Sequence, residues 1–263
     1  MLVKRVLVAL IGIPVVVYAF YVGGLLLLTG IIILVIAGLV EFKNLAARSG
    51  HQVLGPPMWA GGLIIPLVYQ YWSDMLAAAF LFLAVFAALF YLVGFPRFSP
   101  FELSFTVAGV IYIVMGFSHL LLIRDLENGF WLVVYLFVIV WSTDTGAYFT
   151  GTVFGRHLLA PHISPNKKWE GFFGGLLVSI LAAYILIRVS PPEKGCLFLG
   201  VAPFVSIAGQ AGDLFESALK RYAGVKDSGT IIPGHGGVLD RFDSVLWAAP
   251  VTYYLFLLME RLF

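Results

Sequence analysis

Charge is scarce in this sequence: 11% of its 263 residues are Asp, Glu, Lys or Arg, against about 25% in ordinary soluble domains. The charges also nearly cancel, 16 Lys+Arg against 14 Asp+Glu, and a net +2 excludes the broad positive field that binds nucleic acid. Cysteine is almost absent. Cys196 stands alone, so neither a disulfide framework nor a thiolate metal cluster can form. No His-x-x-x-His pair occurs among the five histidines; His51, His119, His157 and His162 read as structural or loop residues. Low-complexity segments and evident internal repeats are lacking, which weighs against transporters assembled from duplicated halves. Strict apolar–polar alternation is missing too, which disfavours a membrane barrel.

Apolar residues fill the space that charge leaves, 61% of the chain with a mean hydropathy of +0.99. Lipid cannot satisfy unpaired backbone groups, and a bilayer core needs about 20 apolar residues per helix. The sequence therefore predicts an all-α, polytopic membrane bundle of about nine spans, near 6–22, 23–40, 58–73, 74–93, 103–123, 130–150, 171–189, 196–216 and 243–260. Gly, Pro and charge collect in the breaks, as in GFPRFSPFE, RDLENG and SPPEKG. The first span is expected to stay in place rather than act as a removable signal, because a second follows it directly.

With the N-terminus inside, twelve of the 16 Lys and Arg fall on the cytoplasmic side, so the expected orientation is N-in, C-out. The polar loops 151–170 and 217–243 then both face the cytoplasm. Residues 1–125 read as lipid-facing scaffold helices and 126–263 as the catalytic region, because 17 of the 30 charged residues lie within 141–243.

The densest stretch is GDLFESALKRYAGVKDSGTIIPGHGGVLDRFD, 212–243, where Asp213 to Asp243 hold nine charges. Asp213, Glu216, Ser217 and Lys220 share one helical face. Asp240 and Asp243, three apart, share a face if the last helix starts early. Carboxylates at the edge of a bundle suit a hard cation such as Mg²⁺, which takes one or two of them plus phosphate oxygens. Lys220, Arg221, Lys226 and Arg241 can neutralise a polyphosphate. PGHGG offers backbone N–H groups for an anion nest, with His235 as a further donor to phosphate. Metal, cations and a Gly-rich turn together point to phosphoryl or nucleotidyl transfer, where positioning and charge neutralisation supply most of the catalysis.

Two further sets lie upstream. Asp144, among Ser142, Thr143 and Thr145, sits well inside the sixth span, where an acid costs roughly 2.5–3.5 kcal/mol even on the lenient scale. In ISPNKKWEG, 163–171, Lys167 and Lys168 can meet phosphates, Glu170 can bind metal or brace a lysine, and Trp169 can stack or anchor at the interface. Singly, each feature has a plain structural explanation: a turn, an orientation signal, a hydrogen-bond cluster between helices, a basic loop on anionic lipid. Their concentration in an otherwise charge-poor chain argues for a site. An ion-coupled transporter using Asp144 and Asp213 is the alternative from another class, though it has little need of Lys/Arg-rich loops.

From Ser217 to Asp243 the sequence resembles the phosphatidate cytidylyltransferase (CDP-diacylglycerol synthase) family. It carries that family's pattern in Ser217, Lys220-Arg221, Lys226-Asp227, His235-Gly236-Gly237, Asp240-Arg241 and Asp243. Asp144 to Gly151 looks like the family's Asp-x-x-Ala-Tyr-Phe-x-Gly stretch, and Ser164 to Gly171 is similar to its Ser-Pro-x-Lys-x-x-Glu-Gly loop. Lys168 departs from it, standing where the family commonly has a hydroxyl residue.

The resemblance implies a Mg²⁺-dependent reaction of CTP with phosphatidate to CDP-diacylglycerol and pyrophosphate, in a multi-pass protein of the cell inner membrane. Asp213 and Asp243, with Asp144 as third candidate, are then the metal ligands, and a second cation is compatible with them. Lys220, Arg221, Lys226, Asp227, His235, Asp240 and Arg241 complete the catalytic set; Ser217, Lys167, Glu170, Gly236 and Gly237 bind substrate. Another lipid phosphate, ether-linked or isoprenoid, is the alternative substrate. GFFGG, 171–175, allows helix association and with it a homodimer.

Overall fold

The computed structural model describes residues 12, 14–189, 195–231 and 236–262. It is built from long helices. Residues 14–22 are helical, followed by α1 (Gly24–Arg48), α2 (Gly55–Tyr71), a short 3₁₀ turn and α3 (Leu76–Val93). Then come α4 (Pro100–Val110), a π turn at Ile111–Met115 and α5 (Gly116–Asp125), which form one continuous run. The rest is α6 (Gly129–Val153), a hairpin of β1 (Leu158–Ala160) and β2 (Ser164–Lys168), α7 (Trp169–Val189), α8 (Gly195–Tyr222) and α9 (Leu239–Leu262).

Among the described residues seven helices are long and apolar enough to cross a membrane. Two of the nine expected spans are not in that set. The first is described only at residues 12 and 14–22, and 6–11 and 13 lie outside the described residues; the third is α2, 17 residues long with Pro66 inside it. Burial supports the lipid environment independently. On α3 only Ala87 is buried, while Leu81, Phe82, Val85, Phe86, Leu89, Leu92 and Val93 are exposed. Water would not tolerate such a helix; hydrocarbon does.

The chain forms two compact units, Met1–Asp125 with Tyr222–Phe242, and Leu126–Arg221 with Asp243–Phe263. In the first, α1 buries Leu28, Ile31, Val35 and Leu39, a helical stripe, and packs on α2 and α5. Arg124, at the end of α5, donates from Nε to the carbonyl of Phe20 (2.5 Å) and from Nη2 to that of Tyr21 (2.9 Å), satisfying carbonyls at the end of the helical stretch 14–22.

The second unit is organised by the α6–α7 pair. The GFFGG glycines serve this packing within the chain: a Cβ on Gly171 would stand 2.8 Å from the Ala147 carbonyl, one on Gly175 2.7 Å from that of Thr143, and one on Gly174 would run into Thr150. Small residues let the two backbones touch where lipid offers no hydrophobic drive between helices. Tyr135, Phe198 and Phe256 form an aromatic core, and the Tyr135 hydroxyl donates to the Phe198 carbonyl at 2.6 Å.

Candidate active site

The expected loop 151–170 is more ordered than its composition suggests. α6 continues to Val153, and the segment beyond folds into the β1–β2 hairpin, with Leu158 opposite Lys168 and Ala160 opposite Ser164. Four contacts fix it. The Trp169 amide donates to the His157 carbonyl (2.9 Å), Lys168 Nζ to the Gly155 carbonyl (3.0 Å) and Arg221 Nε to the Ile163 carbonyl (3.2 Å). His157 Nδ1 lies 2.6 Å from Glu170 Oε1, and both Glu170 oxygens accept from the His157 amide. His157 therefore has a partner that linear spacing hides, and Glu170 braces a histidine rather than a lysine.

This hairpin carries Lys167 to α8, where Nζ stands 2.5 Å from Asp213 Oδ2. One turn on, Ser217 Oγ makes a long hydrogen bond to Asp213 Oδ1 (3.4 Å), and Lys220 pairs with Glu216, whose side chain is fully buried. The shared face of Asp213, Glu216, Ser217 and Lys220 is thus real and internally paired.

Asp243 reaches the same neighbourhood because α8 and α9 cross closely at Gly212, whose Cβ would lie 2.5 Å from the Asp243 carbonyl. The Ser244 amide donates to Asp243 Oδ1 at 2.7 Å. Asp144, Asp213 and Asp243 act electrostatically on one another, with Lys167 acting on Asp144 and Lys220 on Asp243. The hydroxyls beside Asp144 have a separate use: Thr143 Oγ1 donates to Ser206 Oγ (2.9 Å), both buried, tying α6 to α8. Thr143 faces its helix neighbour and Asp144 opens on a cavity.

That cavity measures about 600 Å³ and is lined by Asp144, Tyr148, Asn166, Lys167, Lys168, Phe172, Gln210 and Asp213. Its walls combine two carboxylates, two ammonium groups, two amides and aromatic rings, the donor set for an anionic, ring-bearing ligand.

The remaining predicted residues belong to the first unit. Lys226, Asp227 and Arg241 are exposed there. Asp240 Oδ2 accepts from the amides of Gly237 (2.8 Å) and Ser228 (2.9 Å) and from Ser228 Oγ (3.0 Å), so the Gly237 amide serves the loop itself. His235 lies outside the described residues, and Gly236 has a left-handed φ of 89°. Sequence reasoning missed Glu41. It is 1% exposed and accepts from Ser228 Oγ (3.0 Å) and from the amides of Val238 (2.8 Å) and Leu239 (2.9 Å). It stands one residue past the expected second span, and an acid directly after an apolar run is the one signal the sequence offers.

Among the described residues no group of three or more His, Cys, Asp or Glu is arranged to hold a metal ion by itself. The donor chemistry nevertheless fits Mg²⁺. Two hard carboxylates, Asp144 and Asp213, line one cavity, one already carries an ammonium, and Mg²⁺ takes only one or two carboxylates when phosphate oxygens complete its shell.

A polytopic membrane protein with acids and lysines gathered around one polar cavity is the class that fold and site define. The chain belongs to the cytidylyltransferase family, whose profile matches residues 3–259. It is similar to the phosphatidate cytidylyltransferase of Staphylococcus aureus (strain COL), 39% identical over 256 residues, 95% of this chain and 97% of that protein. The phosphatidate cytidylyltransferase of Bacillus subtilis (strain 168) is 47% identical over 161 residues, 60% of each chain. That of Staphylococcus epidermidis (strain ATCC 12228 / FDA PCI 1200) is 38% identical over 256 residues.

Proposed function

We propose that this membrane enzyme transfers the cytidylyl group of CTP to phosphatidate, giving CDP-diacylglycerol and pyrophosphate. The observation that carries this reading is Lys167 on Asp213 at the wall of a cavity shared with Asp144. A cavity of this size suits a nucleotide, and its ammonium groups suit a triphosphate.

A phosphatidate phosphate oxygen attacks the α-phosphorus of CTP; the new P–O bond forms as the α–β bridging bond breaks, and pyrophosphate leaves. The nucleophile is already an anion, so the step needs no strong general base. Lys167, Lys168, Lys220 and Arg221 neutralise the triphosphate and the lipid phosphate. Lys226, Arg241 and His235 are the further phosphate-binding groups, with Gly236 and Gly237 giving the chain close approach. Asp240 and Glu170 hold loops in position. Asp213, Asp243 and Asp144 would hold Mg²⁺, which supplies charge neutralisation at the phosphoryl oxygens.

The Lys/Arg asymmetry supports an N-in, C-out orientation in the cell inner membrane with the hairpin on the cytoplasmic side, where CTP is available. The acyl chains then stay in the bilayer while the headgroup enters the cavity. The test is incubation of the purified protein with labelled CTP, Mg²⁺ and a panel of diacyl, ether-linked and isoprenoid phosphates. Pyrophosphate release with phosphatidate is the expected result; release confined to another lipid phosphate would redirect the assignment.

A further inference from the structure

Glu41 is a carboxylate with 1% exposure inside a helix, a placement that persists only when its oxygens are fully used. The segment that uses them is far away in the chain. Glu41 Oε1 accepts from the Val238 amide at 2.8 Å, and Oε2 accepts from the Leu239 amide at 2.9 Å and from Ser228 Oγ at 3.0 Å. Val238 and Leu239 lie at the N-terminus of α9, where orphan amides and the helix dipole both favour a negative charge.

Two glycines record how tightly the carboxylate is enclosed. A Cβ on Gly229 would stand 2.6 Å from Glu41 Oε1, and one on Gly237 2.5 Å from Oε2. Gly237 is therefore hemmed in by Ser228 Oγ and both Glu41 oxygens together, whatever else the His-Gly-Gly sequence does. Ser228 Oγ sits between Glu41 Oε2 and Asp240 Oδ2, 3.0 Å from each, so two carboxylates and one hydroxyl join α1, the Ser228–Gly229 segment and the start of α9.

We propose that Glu41 is a positioning residue of the transfer reaction: it clamps Ser228 to Val238 and Leu239 and so sets the direction in which Arg241 leaves the first turn of α9. The role rests on the cytidylyl-transfer reading above. The residues Glu41 holds run directly into the Asp240-Arg241 pair within the same unit. Glu41 acts through two backbone amides and the Ser228 hydroxyl. Gln cannot replace it, because the amide nitrogen of Gln would place a donor against at least one of these donors.

The test compares wild type, Glu41→Gln, Glu41→Asp and Ser228→Ala as full-length proteins in detergent. The readouts are amide hydrogen exchange over 228–242, thermal unfolding, and pyrophosphate release at varied CTP. Glu41→Gln is expected to accelerate exchange at Val238 and Leu239 and to lower kcat/KM for CTP by about 10²-fold, the cost of a small misplacement of binding groups. Glu41→Asp, which keeps both oxygens, is expected to recover part of each. Ser228→Ala is expected to shift both in the same direction by less, and it carries the test if the Glu41 variants fail to fold. Unchanged exchange at Val238 and Leu239 overturns the clamp; accelerated exchange with wild-type kinetics overturns the positioning role. Wild-type turnover is the control that separates these results: without it the cytidylyl-transfer reading fails, while the exchange data still judge the clamp.

Discussion

The Lys167 ammonium stands 2.5 Å from the Asp213 carboxylate, a contact that joins strand β2 to α8 across 46 residues of sequence. Lys167 occupies an oxygen that a divalent cation would also seek. The same contact places a cation where a triphosphate would first arrive. The ion pair therefore predicts competition: Asp213 would be available to a divalent cation only when Lys167 is drawn from it, as by an anionic ligand in the cavity.

Lys167→Met is accordingly expected to have two opposite effects. Turnover falls by about 10²-fold, the usual loss on removing one preorganised electrostatic contact. Binding of Mn²⁺ without nucleotide, followed by electron paramagnetic resonance, tightens instead. Unchanged Mn²⁺ affinity would remove Lys167 as a competitor for Asp213.

Asp243→Asn is expected to abolish CTP- and phosphatidate-dependent pyrophosphate release while the protein stays folded in detergent. The Ser244 amide can still donate to the Asn carbonyl oxygen, so local structure survives while the charge shared with Asp144 and Asp213 drops. Near-normal turnover would remove Asp243 from the proposed set of metal ligands.

Lys168→Thr tests the departure from the family's hydroxyl. Lys168 Nζ closes the hairpin on the Gly155 carbonyl at 3.0 Å, and one such bond contributes about 1 kcal/mol. The expected result is a roughly fivefold rise in KM for CTP with kcat retained. A gain in activity would show that the lysine obstructs the cavity it lines.

Gly174→Ala is expected to lower the unfolding temperature clearly in detergent, because the added methyl runs into Thr150 at the α6–α7 contact. Gly30→Ala, with nothing within 4 Å of its Cβ, is the matched control and should be neutral. Equal effects at the two positions would mean that α6 and α7 are not held by this packing.

Much of the architecture was legible before any coordinates. Long apolar runs locate helices because an unpaired backbone has no partner in lipid, and α3, α6 and α7 fall within a few residues of their expected limits. The face shared by Asp213, Ser217 and Lys220 followed from helical spacing alone. Pairings across the chain were another matter. Glu170 with His157 needs the hairpin to bring residues 13 apart together, and nothing in the spacing of either signals that. Glu41 carries no motif, only the position of an acid directly after an apolar run. Its partners are two backbone amides and a serine hydroxyl, none marked by residue type as carboxylate ligands.

Composition and spacing alone determined that this chain lives in a bilayer and that its charge concentrates between Asp144 and Asp243, since apolar length and local charge density are one-dimensional quantities. Which carboxylate receives which donor was decided only by the folded chain. Hydrogen bonds and ion pairs depend on distances of about 3 Å, and such distances between residues far apart in sequence exist only once helices have packed.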